Sequence, residues 1–175
     1  MGASRLVRLV VGIAVTATFA TACGGGLSLE DYFSQMEDLQ SQYDQQNQLL
    51  QQQVEADLKD AGSNEAALGL FKDYLEKSLT AVNDELAKIE AIDPPDEAEQ
   101  AHQRLIDAGK DIRDALADVV QRFDEFQSVD EIGQLFTTQL APVGQRGDDA
   151  CNALQDVADE HDIAVDLGCA DPIAA

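Results

Sequence analysis

The sequence contains no tryptophan, only 5% aromatic residues and few basic residues, with 11 Lys and Arg against 34 Asp and Glu. Because nucleic-acid binding needs Lys and Arg clustered on one surface, this balance excludes nucleic acid as a partner. It also argues against attachment to anionic lipid through a basic patch. Leu, Ala, Gln and Glu are abundant instead, and this mixture favours helix over sheet.

Motifs with established chemistry are also missing from the sequence. It contains no EF-hand loop, phosphate-binding glycine loop, zinc-ligand spacing or nucleophile elbow. Glu99 and His102 form one Glu-x-x-His motif, whereas di-iron bundles need two such motifs. Ala158 occupies the glutamate position before the other histidine, His161. His102 is therefore expected beside the apolar core. We predict no enzyme, no metal site and no cofactor, with a metal-dependent enzyme using His102 as a minor alternative.

The N-terminal segment has the features of an export signal. It carries Arg5 and Arg8 but no acidic residue, and residues 9–22 are uncharged. That stretch is too short to span a membrane, which takes about 20 apolar residues. A positive flank, a short apolar stretch and small residues at its end are typical of a secretory signal peptide.

The end of this segment, Ala20-Thr21-Ala22-Cys23, is followed by three glycines. It resembles the lipobox of bacterial lipoproteins, in which the cysteine is acylated and becomes the first mature residue. It departs from that pattern at Ala20, where the family usually has Leu. The resemblance implies a lipid on Cys23 and a location on the extracytoplasmic face of the bacterial cell membrane. The alternatives are ordinary secretory cleavage after Ala20 or Ala22, with Cys23 a free thiol, and an uncleaved N-terminal anchor.

Cleavage before the cysteine divides the chain into three predicted parts. Residues 1–22 are a signal peptide, residues 23–27 the lipidated cysteine and its glycine tether, and residues 28–175 an acidic helical domain. Cleavage removes two of the 11 basic residues and leaves nine against 34 acidic ones, a net charge near −25. A charge of this size keeps a domain soluble, and most of it is interpreted as a solvated surface.

Apolar residues recur at intervals of three and four over four segments of the acidic domain, which is typical of amphipathic helices. We predict helices over residues 28–61, 64–91, 96–127 and 128–161, the last of them broken before Pro142. The predicted fold class is all-α, an up-down helical bundle of three long helices plus a broken fourth.

Residues that favour helix ends mark these boundaries. Ser28 is a predicted N-cap, and Ser128 with Glu131 forms a predicted capping box. Gly62 is expected to end the first helix in the left-handed C′ position. Asp93 is a candidate cap for the third helix, with the diproline that follows it near the first helical position.

The cysteine count supports one disulfide. Three cysteines are an odd number for an exported chain, and a lipid on Cys23 leaves Cys151 and Cys169 to pair with each other. This bridge would staple the C-terminal tail onto the last helix. Two unpaired buried thiols are the alternative.

Two further stretches carry a second resemblance. The diproline turn at residues 93–96, with His102 in the helix that follows, resembles uncharacterised helical lipoproteins of high-GC bacteria. The chain from Cys151 to Cys169, which ends in Asp-Leu-Gly-Cys, is similar to the same group. The resemblance implies no known activity.

Two functions fit these features. The first is a non-enzymatic module that binds a protein or cell-envelope component from its membrane anchor. The alternative is a carrier or sensor that holds a small apolar ligand between its helices. Space for such a ligand would come from small residues such as Ala101, Ala108 and Ala115, which tight helix packing also explains.

We expect chain purified from the membrane fraction to have a mass that begins at Cys23 and includes acyl groups. Because two or more acyl chains hold a protein stably on a membrane, Cys23→Ala should lose both the added mass and membrane retention. Intact-mass spectrometry of both chains tests this. A cleaved mass without lipid would instead indicate a free secreted domain.

Overall fold

The structure, a computed structural model, describes residues 26–169. The described chain forms five α-helices and no β-strand, which confirms the predicted all-α class. The predicted signal peptide and Cys23 lie outside the described residues. The helices are α1 (Leu29–Lys59), α2 (Asn64–Glu90), α3 (Glu99–Gln121), α4 (Val129–Leu135) and α5 (Ala141–Glu160). A 3₁₀ turn (Phe123–Glu125) follows α3, and a π-helical turn (Phe136–Leu140) joins α4 to α5.

Two predicted helix starts are confirmed by their hydrogen bonds. The Ser28 hydroxyl accepts the N–H of Asp31 at 3.1 Å, and the Ser128 hydroxyl accepts the N–H of Glu131 at 3.3 Å. The Glu131 carboxylate accepts the N–H of Gln127 at 2.8 Å, one residue before the position that a capping box normally uses. These bonds satisfy N–H groups that a helix start leaves without partners.

The turn between α1 and α2 differs from the prediction. Gly62 is expected to be the left-handed residue after the first helix, but α1 ends at Lys59 and Gly62 has no positive φ. The N–H of Asp60 instead bonds back to the carbonyl of Asp57 at 3.2 Å, which tightens the last turn and ends the helix. Ser63 then caps α2 with its hydroxyl, and α2 begins at Asn64, where the sequence predicts the second helix to start.

The third helix starts later than predicted. It begins at Glu99 rather than Asp96, and its N-cap is Ala98, so the predicted cap at Asp93 is wrong. The N–H of Ala98 closes a turn on the carbonyl of Pro95 at 2.9 Å. The diproline therefore opens a turn, and the helix follows that turn.

The same helix also ends earlier than predicted, at Gln121 rather than Gln127. The 3₁₀ turn that follows places Phe123 in the core, where only 5% of its surface is exposed. Phe123 packs there with Leu116 and Val119 of α3. The tighter turn lets the chain bury this ring and bend back toward α4.

The fourth helix is interrupted by a change of hydrogen-bond spacing, and no loop separates its two parts. The chain is helical without interruption from Val129 to Glu160, although the sequence predicts a break before Pro142. Pro142 has no N–H to donate to the preceding turn. The π-helical turn places the N–H of Ala141 on the carbonyl of Phe136, so a change of hydrogen-bond spacing replaces the expected loop.

The helices pack in chain order, α1 on α2, α2 on α3 and α3 on α5. Two separate apolar clusters fill the core. The first joins the start of α1 and α3 to the end of α5 and contains Tyr32, Phe33, Met36, Ala98, Ala101, Leu154, Ala158 and Leu167. The second joins α2, the end of α3 and α4 and contains Leu75, Leu116, Val119, Phe123, Ile132 and Leu135. The two ends of the bundle are therefore packed by different side chains.

The C-terminal tail, residues 161–169, is irregular and folds back onto the bundle. Asp162 turns the chain with a φ of 56°, and the N–H of Ile163 bonds the last turn of α5 at 2.9 Å. A disulfide joins Cys151 on α5 to Cys169 in the tail, with the Cα atoms 5.5 Å apart. The predicted pairing is therefore present, and the tail is stapled to the last helix.

Removing this disulfide is expected to lower the free energy of unfolding by about 3 kcal/mol, because the bridge joins residues 18 positions apart. Urea unfolding of the Cys151→Ala/Cys169→Ala double variant against the unaltered chain measures the loss. Cys23→Ala, which keeps the bridge, is the control. A loss below about 1 kcal/mol would show that the tail is held mainly by its other contacts.

Candidate functional site

The bundle is open along one side, and a cleft occupies the opening. α1 packs along α2, and α5 packs along α3, but α1 and α5 have no comparable interface with each other. The gap between them holds a cleft of about 290 Å³, referred to below as the main cleft. Residues of α2 and α3 form its floor, residues of α1 and α5 its sides, and the tail closes one end.

Most side chains that face the main cleft are apolar. They come from α1, α2, α3 and α5 and include Met36, Val82, Leu86, Leu105, Ile112 and Leu154. On α2 they belong to the same apolar stripe that packs this helix into the bundle. A lining of this kind binds hydrocarbon rather than strongly hydrated groups.

Glycines set the shape of the main cleft. A Cβ on Gly109 would lie 3.1 Å from Leu86 Cδ1, and a Cβ on Gly147 would lie 2.9 Å from Ile112 Cδ1. Both glycines therefore let a neighbouring side chain approach closer than a larger residue would allow. Gly144, one turn before Gly147, has nothing within 4 Å of its Cβ position and leaves open space in the wall.

Glu85 is the buried charged residue of the main cleft, with 9% of its surface exposed. Its Oε2 lies 3.4 Å from the Nζ of Lys88, whose side chain is 46% exposed. Burial raises the pKa of the Glu85 carboxyl, Lys88 opposes that rise, and Asp44 adds to it. A raised pKa means that the fold disfavours the ionised form, so an ionised Glu85 reduces the free energy of unfolding.

Two more carboxylates lie at the edge of the main cleft. Asp148 lines it from α5 and is exposed. Asp44 Oδ2 lies 3.6 Å from the Cβ position of Gly168, which lines the tail end of the cleft, and Gln40 donates to Asp44 Oδ1 at 3.0 Å. Among the described residues that line the cleft there is no Lys, Arg or His, so its charged groups are carboxylates.

A second cleft, of about 240 Å³, continues along the same gap between α1 and α5. It shares four lining residues with the main cleft, Tyr43, Val82, Ile112 and Gly144. Burial raises the pKa of the Tyr43 phenol, and a hydrogen bond with Asn47 opposes that rise. The Ser78 hydroxyl on its wall is buried without a hydrogen-bond partner in the described part of the chain.

His102 lies outside both clefts, in a buried hydrogen bond with Tyr32. The Tyr32 Oη and His102 Nδ1 atoms are 2.9 Å apart. Burial raises the pKa of the Tyr32 phenol, so the phenol stays protonated and its O–H donates a hydrogen bond to Nδ1. Burial lowers the pKa of His102, and a hydrogen bond to the Ile89 backbone opposes that effect. The imidazole is therefore neutral, with its proton on Nε2.

The Glu-x-x-His motif does not form a joint site. Glu99 is exposed whereas His102 is buried, and both His102 nitrogens are used in the hydrogen bonds described above. Residues 26–169 contain no group of three or more His, Cys, Asp or Glu side chains placed to hold a metal ion. Over the same range, no helix is both long and apolar enough to cross a membrane. The predicted lipidation site, Cys23, is not among these residues.

Only a few residues of the main cleft are predicted by the sequence. Of the three alanines considered as sources of space, Ala108 lines the main cleft, whereas Ala101 belongs to the first apolar cluster. Glu85 and the glycines of α5 were missed. The sequence contained an indication of each. Glycine is destabilising inside a helix, and Glu85 is a charged residue within the apolar stripe of α2. Gly144 and Gly147, three residues apart, mark the helix face that borders the cleft.

Comparison with known proteins assigns the chain to no family. The chain matches no protein-family model, no curated protein and no solved structure. A functional assignment therefore depends on the geometry of the clefts and on the residues that line them.

The stability of the protein is expected to fall as the pH drops below about 6.5, the ordinary pKa of histidine. His102 has a lowered pKa in the fold, so only the unfolded chain takes up this proton readily. One such proton changes the free energy of unfolding by at most about 1.4 kcal/mol per pH unit. Urea unfolding between about pH 5.5 and pH 7.5 measures the slope.

The His102→Gln variant should lose this part of the pH dependence. His161→Gln, which alters the exposed histidine at the end of α5, should keep it. A full slope in the His102→Gln chain would contradict the assignment of a buried neutral imidazole.

Proposed function

We propose that this chain is a lipid-anchored, extracytoplasmic and non-enzymatic binding module whose binding site is the main cleft. The ligand is a small molecule with an apolar body, held between the helices. The observation that carries this proposal is the cleft of about 290 Å³ between α1 and α5. The anchor and the location rest on the lipobox resemblance at Cys23.

The size and lining of the main cleft support a small ligand. Binding sites for drug-sized molecules have volumes of about 300–1,000 Å³ and mostly apolar walls with a few polar groups. The main cleft lies near the lower limit of that range and combines an apolar floor with Glu85 at one position. The cleft therefore favours a carrier or sensor role. From the sequence alone, a module that binds a protein or envelope component was the first choice.

The outer surface gives less support to a docked protein or envelope partner. Among the described residues, Leu49 is the single large hydrophobic side chain that is exposed, at 67%. Isolated exposed residues of this kind are normal on soluble proteins. Binding of a protein or envelope component through the surface is kept as the second candidate, since the chain would be anchored among such components.

The composition of the cleft supports a role without catalysis. The described residues that line it include no Ser, Thr, His or Lys, so a Ser or Thr nucleophile beside a histidine or lysine base is missing there. Its two cysteines, Cys151 and Cys169, are joined to each other, and neither is a free thiolate. The remaining polar groups are suited to orienting a ligand.

Filling the cleft tests the proposal. Gly144→Leu places a side chain in the open wall, and Gly133→Leu makes the same change on α4, where the Cβ position also has nothing within 4 Å. Both changes replace a helical glycine, so each should stabilise the helix by up to about 1 kcal/mol. Only the first reaches the cleft.

We expect the full chain to bind 1-octanol and Gly144→Leu to weaken that binding by about tenfold or more. Gly133→Leu should bind as the unaltered chain does. Isothermal titration calorimetry measures the affinities. The proposal fails if 1-octanol does not bind, or if the Gly144→Leu chain binds it as tightly as the unaltered chain.

A further inference from the structure

Glu85 offers an oxygen that the protein itself does not use. Its side chain is 11% exposed and lines the main cleft. Lys88 contacts only Oε2, at 3.4 Å, and Oε1 has no hydrogen-bond partner in the described part of the chain. Among the described residues, the Ser78 hydroxyl is the buried polar side-chain group without a partner, so the unbonded Oε1 of Glu85 reaches the open space of the cleft, where a ligand can approach it.

The contact with Lys88 does not explain why Glu85 is buried. Lys88 is one turn away on the same helix and is about half exposed, and such pairs form equally well on an open helix surface. Ion pairs of that kind contribute little to stability. The apolar cleft therefore contains a carboxylate oxygen that this ion pair leaves free for a group entering the cleft.

The charges around Glu85 indicate the sign of that group. Asp44 from α1 and Asp148 from α5 add two carboxylates at the edge of the cleft. Lys88 is the opposing charge at Glu85, which leaves an excess of negative charge. The whole chain has the same sign, with 34 acidic against 11 basic residues. An anion would be repelled by these carboxylates. A neutral molecule would cover Glu85 and displace its water without supplying an opposite charge in exchange.

We propose that the main cleft selects a ligand with an apolar body and a positively charged amine, and that Glu85 binds the amine. This inference rests on the proposed function, because it names the ligand class of the same cleft. The hydrocarbon would lie on the apolar floor, and the ammonium group would donate to the unused oxygen of Glu85. Hydrogen bonds between charged groups are stronger than those between neutral ones.

Three probes with the same eight-carbon chain test the selection: octylammonium, 1-octanol and octanoate. Calorimetric titrations use the full chain with Cys23→Ala in every sample, so that no acyl group competes for the cleft. Near about pH 7 the amine is charged. Octylammonium should bind about tenfold tighter than 1-octanol, and octanoate should bind most weakly.

Variants at Glu85 separate a specific contact from the general negative charge. Glu85→Gln keeps the shape of the side chain and removes its charge, so octylammonium should lose its roughly tenfold advantage while 1-octanol binding changes by less than about twofold. Glu76→Gln removes an exposed carboxylate from the same helix and should preserve the advantage. Lys88→Gln removes the competing cation and should tighten octylammonium binding.

The outcomes separate the two proposals. If 1-octanol does not bind, the proposed function fails and this inference fails with it. If 1-octanol binds but octylammonium has no advantage, the function stands and the inference is wrong. The inference is also wrong if the advantage survives Glu85→Gln, or if Lys88→Gln weakens octylammonium binding.

Discussion

The C-terminal tail links α1 to α5, and the shape of the bundle depends on this link. Leu167, only 3% exposed, packs in the same apolar cluster as Met36 of α1 and Leu154 of α5. The N–H of Asp166 donates to the Glu37 carboxylate at 3.4 Å. Because α1 and α5 do not pack along each other, the tail takes the space that direct helix packing would fill. Leu167, Gly168 and Cys169 of the tail line one end of the main cleft.

The main cleft is bordered by residues that weaken the fold locally. Gly144 and Gly147 lie inside α5, although each glycine in a helix costs about 1 kcal/mol relative to alanine. Glu85 lies in a position that raises the pKa of its carboxyl, so the fold disfavours its ionised form. Departures from stabilising choices are expected at functional sites. The proposed binding function would explain why they occur around this cleft.

The features predicted correctly are local ones. Apolar periodicity and the cap at Ser128 identify helices because they act within a few residues. The errors arise where distant contacts decide the outcome: Phe123 leaves the third helix to enter the core, and a π-helical turn carries the fourth helix through Pro142. The clefts follow from an interface that α1 and α5 do not form, and no spacing of residues along the chain encodes this. The anchor at Cys23 remains a prediction from the sequence.

The disulfide belongs to the wall of the main cleft, since both Cys151 and Cys169 line it. Disulfides form in oxidising compartments and are rare in the cytosol. In a reducing compartment the chain would lack this covalent link, and the end wall of its cleft would be held by weaker contacts alone. Under the proposed export and the proposed ligand binding, the cleft would reach its full affinity only outside the cytosol, and the chain would not withdraw similar molecules from the cytosol that makes it.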